Sequence, residues 1–320
     1  MSETLPTELD IYGANALISP HLHIWGWEIP VYLFLGGMAA GFLVLSGLAV
    51  LLNRRGDWPF TVARGPLLVL PLLALGMGAL FLDLAYKLHV FRFYTAFKVT
   101  SPMSWGSWIL LLVAPAAVAS VLVMGDEADA RLIARLPFGR RLAKLRELAP
   151  VLERPIALVN VIVGAALGIY TGILLGAFGA RPLWNSAILG PLFLASGMSA
   201  AAAVLHMFAP TSRERRAMAR MDVAMLALEA LFLGLLLLQL STGNAVSMAA
   251  AALFLGGSYT AVFWVLVILI GILIPMIIQT LAVSGKVQHT AWAPLMVLIG
   301  GLALRTVIVY AGQVAEWRGY

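Results

Sequence analysis

Eight long apolar stretches constrain the fold of this chain more than any other feature of its sequence. Each stretch is long enough to cross the roughly 30 Å hydrocarbon core of a bilayer as an α-helix. They cover residues 29–52, 66–88, 104–124, 156–178, 187–208, 222–241, 251–279 and 291–313. The 320 residues are 62% hydrophobic and only 11% charged, whereas about a quarter of the residues in soluble domains are charged. The sequence therefore predicts an all-α integral membrane protein with eight transmembrane helices.

The distribution of basic residues predicts the orientation of these helices. Most of the 21 Lys and Arg residues follow the first, third, fifth and seventh apolar stretches, and the positive-inside rule assigns such segments to the cytoplasm. Both termini are therefore expected on the non-cytoplasmic side of the cell's inner (cytoplasmic) membrane. The basic segment 131–150 could also form an amphipathic helix that binds lipid or a partner, but an ordinary cytoplasmic loop is the simpler interpretation. The net charge of +6 is thus explained by the basic residues of the cytoplasmic loops. We do not expect a nucleic-acid partner.

The chain is predicted to form one integral membrane domain. The predicted segments are a non-cytoplasmic N-terminal stretch (1–28), a first half with helices 1–3 and the cytoplasmic loop 125–155 (29–155), and a second part with helices 4–8 and the C-terminal tail (156–320). The sequence LFLGGMAA at 33–40 recurs loosely as LFLASGMSA at 192–200. This similarity favours a duplicated four-helix unit with a parallel repeat.

Ionisable side chains inside predicted spans are candidate functional groups, because each costs at least a few kcal/mol to bury in a membrane. They are Glu28 at the outer mouth of helix 1, Asp83 in the outer third of helix 2, Glu229 in the inner half of helix 6 and Arg305 in the outer half of helix 8. Glu28, Asp83 and Arg305 are expected at the same outer depth as Tyr32 and Tyr170. An Asp83–Arg305 ion pair that locks two helices together is an equally good interpretation of those two residues.

A second group of polar residues lies towards the cytoplasmic side. His206 and Asp222 fall at the inner ends of helices 5 and 6. Together with Glu229 they could begin a proton route from the cytoplasm towards the outer cluster. Placement at the membrane interface explains His206 and Asp222 equally well.

The sequence argues against a redox cofactor ligated within this chain. Cysteine is absent, which excludes an iron–sulfur cluster held by the chain alone. Only one of the five histidines, His206, lies within a predicted span, so a haem with two histidine ligands is not expected. The carboxylates are scattered over separate helices and do not predict a metal site. If the protein takes part in redox chemistry, its electrons must therefore come from another subunit.

Four segments carry recognisable motifs, namely PVYLFLGGMAAG (30–41), TSPMSWGSW (100–108), YTGILLGAFGARPLWN (170–185) and LRTVIVYAGQ (304–313). In these segments the chain resembles the NrfD family, the membrane subunits of polysulfide-reductase-like respiratory complexes. The segments follow the family's order across essentially the whole chain. The resemblance implies two four-helix bundles and a pocket for menaquinone or ubiquinone near the non-cytoplasmic face.

The resemblance also implies partners and site residues. A ferredoxin-like iron–sulfur subunit would dock over the pocket on the non-cytoplasmic face and connect to a molybdopterin-containing catalytic subunit. The implied quinone-binding residues are Glu28, Tyr32, Tyr170, Trp184 and Asn185. Tyr170 and Glu28 would be the catalytic pair, with the hydroxyl holding a quinone carbonyl and the carboxylate relaying protons. Some family members carry Asn and His on helix 1 where this chain has Ile29 and Tyr32, so we expect Glu28 to take over proton acceptance.

Together these features predict a quinone- or quinol-binding subunit of a multisubunit respiratory oxidoreductase. It would exchange electrons between the quinone pool and the iron–sulfur partner, would not be catalytic alone, and could couple turnover to proton translocation. Two alternatives remain open. The chain could be a passive membrane anchor of a redox complex, in which Glu28 and Tyr170 have no role. It could also be a secondary transporter, because repeated halves and buried charges occur in that class.

Overall fold

The computed structural model describes residues 25–84, 86–95, 97–135 and 144–315. Eight helices within these ranges are long and apolar enough to cross a membrane, which confirms the predicted number. They are α1 (Glu28–Leu51), α2 (Pro59–Asp83), α3 (Pro102–Met124), α4 (Ala149–Gly176), α5 (Leu189–Phe208), α6 (Ser212–Ser241), α7 (Val262–Val283) and α8 (Trp292–Val314). Most of the predicted N-terminal stretch, the middle of the predicted cytoplasmic loop and the end of the C-terminal tail lie outside the described residues.

Short helical elements connect the spanning helices. They are Lys87–His89 and Arg92–Thr95 between α2 and α3, Glu127–Ala134 and Lys144–Leu148 between α3 and α4, and Ala245–Ala252 between α6 and α7. No strand occurs in the part of the chain that the structure describes. The all-α prediction is therefore confirmed.

Helices α2 and α6 begin earlier than their hydrophobic stretches predicted, because polar side chains complete their first turns. Thr211 caps α6, its hydroxyl accepting a hydrogen bond from the Glu214 amide at 3.2 Å. The fully buried Glu214 carboxylate in turn accepts hydrogen bonds from the amides of Phe60 (3.3 Å) and Thr61 (2.7 Å) and from the Thr61 hydroxyl (2.7 Å). These amides belong to the first turn of α2, where backbone N–H groups have no hydrogen-bond acceptor within their own helix. Glu214 therefore ties the start of α6 to the start of α2.

The predicted boundaries of the seventh helix were wrong. The stretch 251–279 is uniformly apolar, but its first part belongs to the short helix Ala245–Ala252 and to an irregular turn. Gly256 in this turn has a φ of 124°, a conformation that favours glycine and does not occur inside an α-helix. Helix α7 begins at Val262 with wide turns and continues as an α-helix from Ile274. Hydropathy alone cannot distinguish a helix from an apolar turn, which explains the error.

The eight helices pack as two four-helix bundles, one of α1–α4 and one of α5–α8. Helix α4, which the predicted segments grouped with helices 5–8, packs against α1 and α3. The bundles meet where α1 crosses α5, and a Cβ at Gly197 would lie only 3.0 Å from the Gly37 Cα. Two glycines are needed for such a close approach of helices in a membrane. Gly37 and Gly197 belong to the two similar segments 33–40 and 192–200, so these segments form the seam between the bundles.

The two ends of the bundles differ in charge. At the end that we call the basic face, Asp57 accepts hydrogen bonds from Arg54 (3.0 Å) and Arg213 (2.7 Å), which hold the pKa of the Asp57 carboxyl below its usual value. Arg64 on the same face binds Asp129 at 2.6 Å. We call the opposite end, where α1 begins and α2 ends, the cavity face. The positive-inside rule assigns the basic face to the cytoplasm, and this orientation stays a prediction.

Candidate functional site

A cavity of about 300 Å³ lies in the first bundle, at the cavity-face ends of α1–α4. Its walls are mostly apolar and include Ile29, Met77, Leu80, Phe81, Leu110 and Leu174. Its polar lining residues are Tyr32, Asp83, Tyr94, Ser107 and Tyr170. An apolar cavity with a few converging polar groups is the usual form of a site for a small organic ligand.

Tyr170 is positioned by a glycine on the neighbouring helix. Its side chain is only 4% exposed, and its ring lies against Gly106 of α3 so closely that a Cβ at Gly106 would overlap the phenol. Gly106 belongs to the segment TSPMSWGSW, and Ser107 beside it also lines the cavity. The small residue at this position therefore fixes where the Tyr170 hydroxyl lies.

Two further tyrosines complete the hydroxyl groups of the cavity. Tyr32 of α1 is 5% exposed and lies within electrostatic range of both Tyr170 and Tyr94. Tyr94 belongs to the helical turn Arg92–Thr95, and partial burial raises the pKa of its phenol. Both side chains can therefore present protonated hydroxyl groups to a ligand. Tyr94 was not predicted as a site residue, because it lies in a connection between predicted spans.

The two carboxylates on this face lie near each other but have different positions. Asp83, the last residue of α2, lines the cavity. Glu28, in the first turn of α1, is half-buried and is not among the lining residues. Its carboxylate folds back over Gly26, and its charge acts on Asp83. The structure thus brings together Glu28 and Asp83, with Asp83 closer to the space that a ligand would occupy.

Trp184 and Asn185 do not line this cavity. Trp184 is fully buried, and its indole N–H donates to the Ile308 carbonyl of α8 at 2.8 Å. A Cβ at Gly312 would overlap this indole, so the glycine makes room for it. Asn185 is exposed. Their role as quinone contacts stays a prediction, and their visible environment is that of a packing residue and a surface residue.

Gln313 near the end of α8 fixes the position of the cavity residue Trp25. The Gln313 side chain accepts a hydrogen bond from the Trp25 amide (2.9 Å) and donates one to the Trp25 carbonyl (3.1 Å). Arg181 donates to the Gln313 carbonyl at 2.6 Å, and the Trp25 and Trp184 rings lie 5.2 Å apart. Three of these residues come from the segments 170–185 and 304–313. Part of the sequence in those segments therefore serves to hold the start of α1 beside the cavity.

Arg305 is fully buried in the second bundle. Its guanidinium donates to the Ser196 hydroxyl (2.6 Å) and to the carbonyls of Gly301 (3.0 Å) and Phe193 (3.1 Å). The predicted alternative of an Asp83–Arg305 ion pair was wrong, because Asp83 lines the cavity of the first bundle and Arg305 has these other partners. The carboxylate that acts electrostatically on Arg305 is Glu229.

The remaining polar residues form a discontinuous series between α5, α6 and α7. The Ser196 hydroxyl, which binds Arg305, also interacts with the buried Glu229. Two turns away on α6, about 10 Å along the axis, the fully buried Asp222 accepts hydrogen bonds from Ser199 (2.5 Å) and Gln279 (2.6 Å). The series therefore contains both predicted carboxylates, Glu229 and Asp222, and a serine of α5 interacts with each of them.

His206 ends the series at the basic face. Its Nε2 lies 3.0 Å from Nδ1 of His289, a residue outside the predicted spans. Burial, with the charges of Arg215 and Arg216, lowers the pKa of His289 below its ordinary value of 6.5. Within the described ranges no group of three or more His, Asp or Glu residues comes together that could hold a metal ion.

Helix α1 separates the cavity from the buried polar series. Tyr32 lines the cavity, whereas the ring of Phe34 lies 5.7 Å from the Arg305 guanidinium. Residues two apart on an α-helix point to nearly opposite sides. The two groups of functional candidates therefore lie in different bundles, on either side of one helix.

Comparison with known proteins agrees with this architecture. The family model for polysulphide reductase, NrfD, matches residues 18–315. The C subunit of polysulfide reductase from Wolinella succinogenes is 30% identical over 305 residues, which cover 91% of this chain and 94% of that protein. Protein NrfD of Escherichia coli is 32% identical over 314 residues, which cover 91% of this chain and 95% of that protein. The chain is a multi-pass membrane protein that belongs to the NrfD family.

Proposed function

We propose that the cavity of the first bundle, which is lined by α1, α2, α3 and α4, binds the headgroup of a quinone. The chain would then be the quinone-reactive membrane subunit of a multisubunit respiratory oxidoreductase in a bacterial inner membrane. The observation that carries this proposal is the convergence of Tyr32, Tyr170 and Asp83 in an otherwise apolar cavity of about 300 Å³. The names of the relatives, a polysulfide reductase subunit and NrfD, support membership of a redox complex.

The lining residues fit the chemistry of a quinone headgroup. Such a headgroup is a flat ring with two carbonyl acceptors, and the buried phenols of Tyr32 and Tyr170 are donors. The apolar side chains around them exclude water, which strengthens those hydrogen bonds. Gly106 leaves the space that a side chain would fill beside Tyr170.

The carboxylates beside the cavity are suited to proton exchange. A quinone bound there supplies the two-electron, two-proton chemistry of the quinone pool. Asp83 lines the cavity and can take or give a proton directly, while Glu28 lies within electrostatic range of Asp83 and can pass protons on. This assignment moves the first proton-transfer step from Glu28 to Asp83 and keeps Glu28 as the second group.

The cavity face is the place where a redox partner would dock. The connection from α2 to α3 covers part of the cavity, and its side chains Tyr86, Leu88 and Phe91 are exposed. We propose that a ferredoxin-like iron–sulfur subunit covers this connection and links it to a molybdopterin-containing catalytic subunit. Electrons would pass between the nearest cluster of that subunit and the cavity, because this chain has no cysteine with which to hold a cluster.

Quinone binding can be tested with three conservative variants of the purified complex. Tyr170→Phe and Tyr32→Phe each remove one hydroxyl from the cavity, and we expect each to weaken binding of a fluorescent quinone-analogue inhibitor about threefold to tenfold. Tyr310→Phe, in α8 and outside the cavity lining, is the matched control and should bind like the wild type. Full affinity in both cavity variants would place the site elsewhere. A wild-type complex that binds no analogue would favour a passive anchor.

A further inference from the structure

A groove of about 840 Å³ lies on the basic face, at the opposite end of the molecule from the cavity. It is bounded by the end of α1, the turn into α2 and the first turns of α6. Four arginines line it, together with a single carboxylate, and these residues are Arg54, Arg213, Arg216, Arg220 and Asp57. Nothing in the proposed quinone chemistry uses this groove.

The positive charge in the groove is only partly neutralised. Each oxygen of Asp57 is bound to one arginine, Oδ2 to Arg54 at 3.0 Å and Oδ1 to Arg213 at 2.7 Å. Arg216 and Arg220 are exposed, and in the described part of the chain no carboxylate lies within 4 Å of either. They are one helical turn apart on the same side of α6, about 6 Å. Two guanidinium groups at this spacing can bind one phosphate together.

The groove becomes apolar towards the centre of the membrane. Trp58, Met221 and Ala224 form its inner wall. The same side of α6 continues as a stripe of exposed leucines at helical spacing, namely Leu228, Leu231 and Leu235. Arg220 and Leu235 are 15 residues apart, about 22 Å along the helix axis. This length exceeds the roughly 15 Å of hydrocarbon in one leaflet, so a complete acyl chain can lie along the stripe.

We propose that this groove is a binding site for one anionic phospholipid. The phosphodiester lies between Arg216 and Arg220, and an acyl chain follows α6 past Met221 and Ala224 to the leucine stripe. An amphiphile can contact both the charged end of the groove and the apolar stripe. A soluble anion would contact only the arginines and would leave the apolar inner wall unoccupied. Recognition rests on net negative charge, so phosphatidylglycerol is preferred to the neutral phosphatidylcholine.

Native mass spectrometry of the detergent-solubilised complex tests this assignment without any mutation. Phosphatidylglycerol and phosphatidylcholine with identical acyl chains are added at equal concentration, and the fraction of protein that retains one lipid is measured. We expect at least tenfold more retention of phosphatidylglycerol and no displacement by millimolar inorganic phosphate. Equal retention of the two lipids would overturn the proposal. Displacement by phosphate would show a site for a soluble anion and would overturn it as well.

A pair of double variants locates the lipid. Arg216→Gln with Arg220→Gln should lower phosphatidylglycerol retention about tenfold. Arg55→Gln with Arg154→Gln removes the same charge from exposed positions outside the groove and should change retention less than twofold. Equal loss in both double variants would mean that the lipid responds to diffuse surface charge, which contradicts a site in the groove. Elution as an intact complex on size exclusion is required of every variant.

Discussion

Replacing Gly106 by alanine should displace Tyr170 and weaken quinone binding. The added methyl group would overlap the Tyr170 phenol, and the helical backbone of α3 cannot move freely to make room. An ordinary carbon–carbon contact needs about 3.5–4 Å, so the phenol has to move by roughly 1.5 Å or more. Overpacking of this kind costs about 1–3 kcal/mol. If that energy is taken from ligand binding, the affinity falls about 5- to 140-fold.

The assay for this prediction is quenching of a fluorescent quinone-analogue inhibitor, with two comparisons. Gly78→Ala adds the same methyl group to an exposed position of α2 where nothing lies within 4 Å, and it should bind like the wild type. Tyr170→Leu removes the hydroxyl and the ring atoms that face Gly106. In that background Gly106→Ala should have little further effect, because the clash is absent. Wild-type affinity in Gly106→Ala, with an unchanged melting temperature, would refute the position of Tyr170 described above.

Three further predictions concern the rest of the molecule. Glu229→Gln should reduce proton transfer across liposomes during turnover while quinone-analogue binding stays unchanged, and an unaltered gradient would remove Glu229 from any proton route. Glu214→Ala should lower the free energy of unfolding by about 3 kcal/mol or more, because the two short hydrogen bonds from Thr61 are each worth about 1.5–3 kcal/mol. The change is measured as a lower melting temperature by tryptophan fluorescence. An unchanged melting temperature would contradict the role of Glu214 at the first turn of α2. Burial and neighbouring arginines lower the pKa of His289 in the folded protein, so its contribution to stability is complete above pH 6.5 and is lost as the pH falls below that value. His289→Gln should therefore flatten the fall in melting temperature between pH 7 and pH 5, and an equally steep fall in this variant would exclude His289 as the cause.

The sequence predicted the architecture well, because apolar helices leave a strong signal in hydropathy. The number of spans and the two bundles follow from that signal and from the family resemblance. The starts of α2 and α6 could not be predicted in this way, because Glu214 completes the first turns of both helices. A hydropathy profile scores such a charged residue as evidence against a membrane-spanning helix. The start of α7 was also missed, because Gly256 interrupts an apolar stretch through its backbone conformation.

The candidate site was predicted less completely. Tyr32, Tyr170 and Asp83 were selected as buried polar groups at one depth, and the structure brings them to one cavity. Depth along the membrane normal does not reveal which side of a helix a residue faces, so Arg305 was grouped with them although α1 lies in between. Tyr94 was missed for a different reason, because it reaches the cavity from a segment between the predicted spans.

The separation of the two polar groups by α1 has a consequence for energy coupling. A proton that moves along Asp222, Glu229 and Arg305 ends on the second-bundle side of α1, whereas the proposed quinone chemistry occurs on the first-bundle side. Gly37 of α1 lies beside Arg305, since a Cβ there would lie 2.9 Å from the guanidinium. Coupling between the two sides would therefore act through α1.

The most direct test of the central claim is photoaffinity labelling of the purified complex with an azidoquinone, followed by peptide mapping. A quinone in the proposed cavity should label residues 25–32, 77–110 or 170–174, and excess unlabelled quinone should abolish this labelling. Label confined to α5–α8, with equal competition by unlabelled quinone, would contradict the assignment of the cavity.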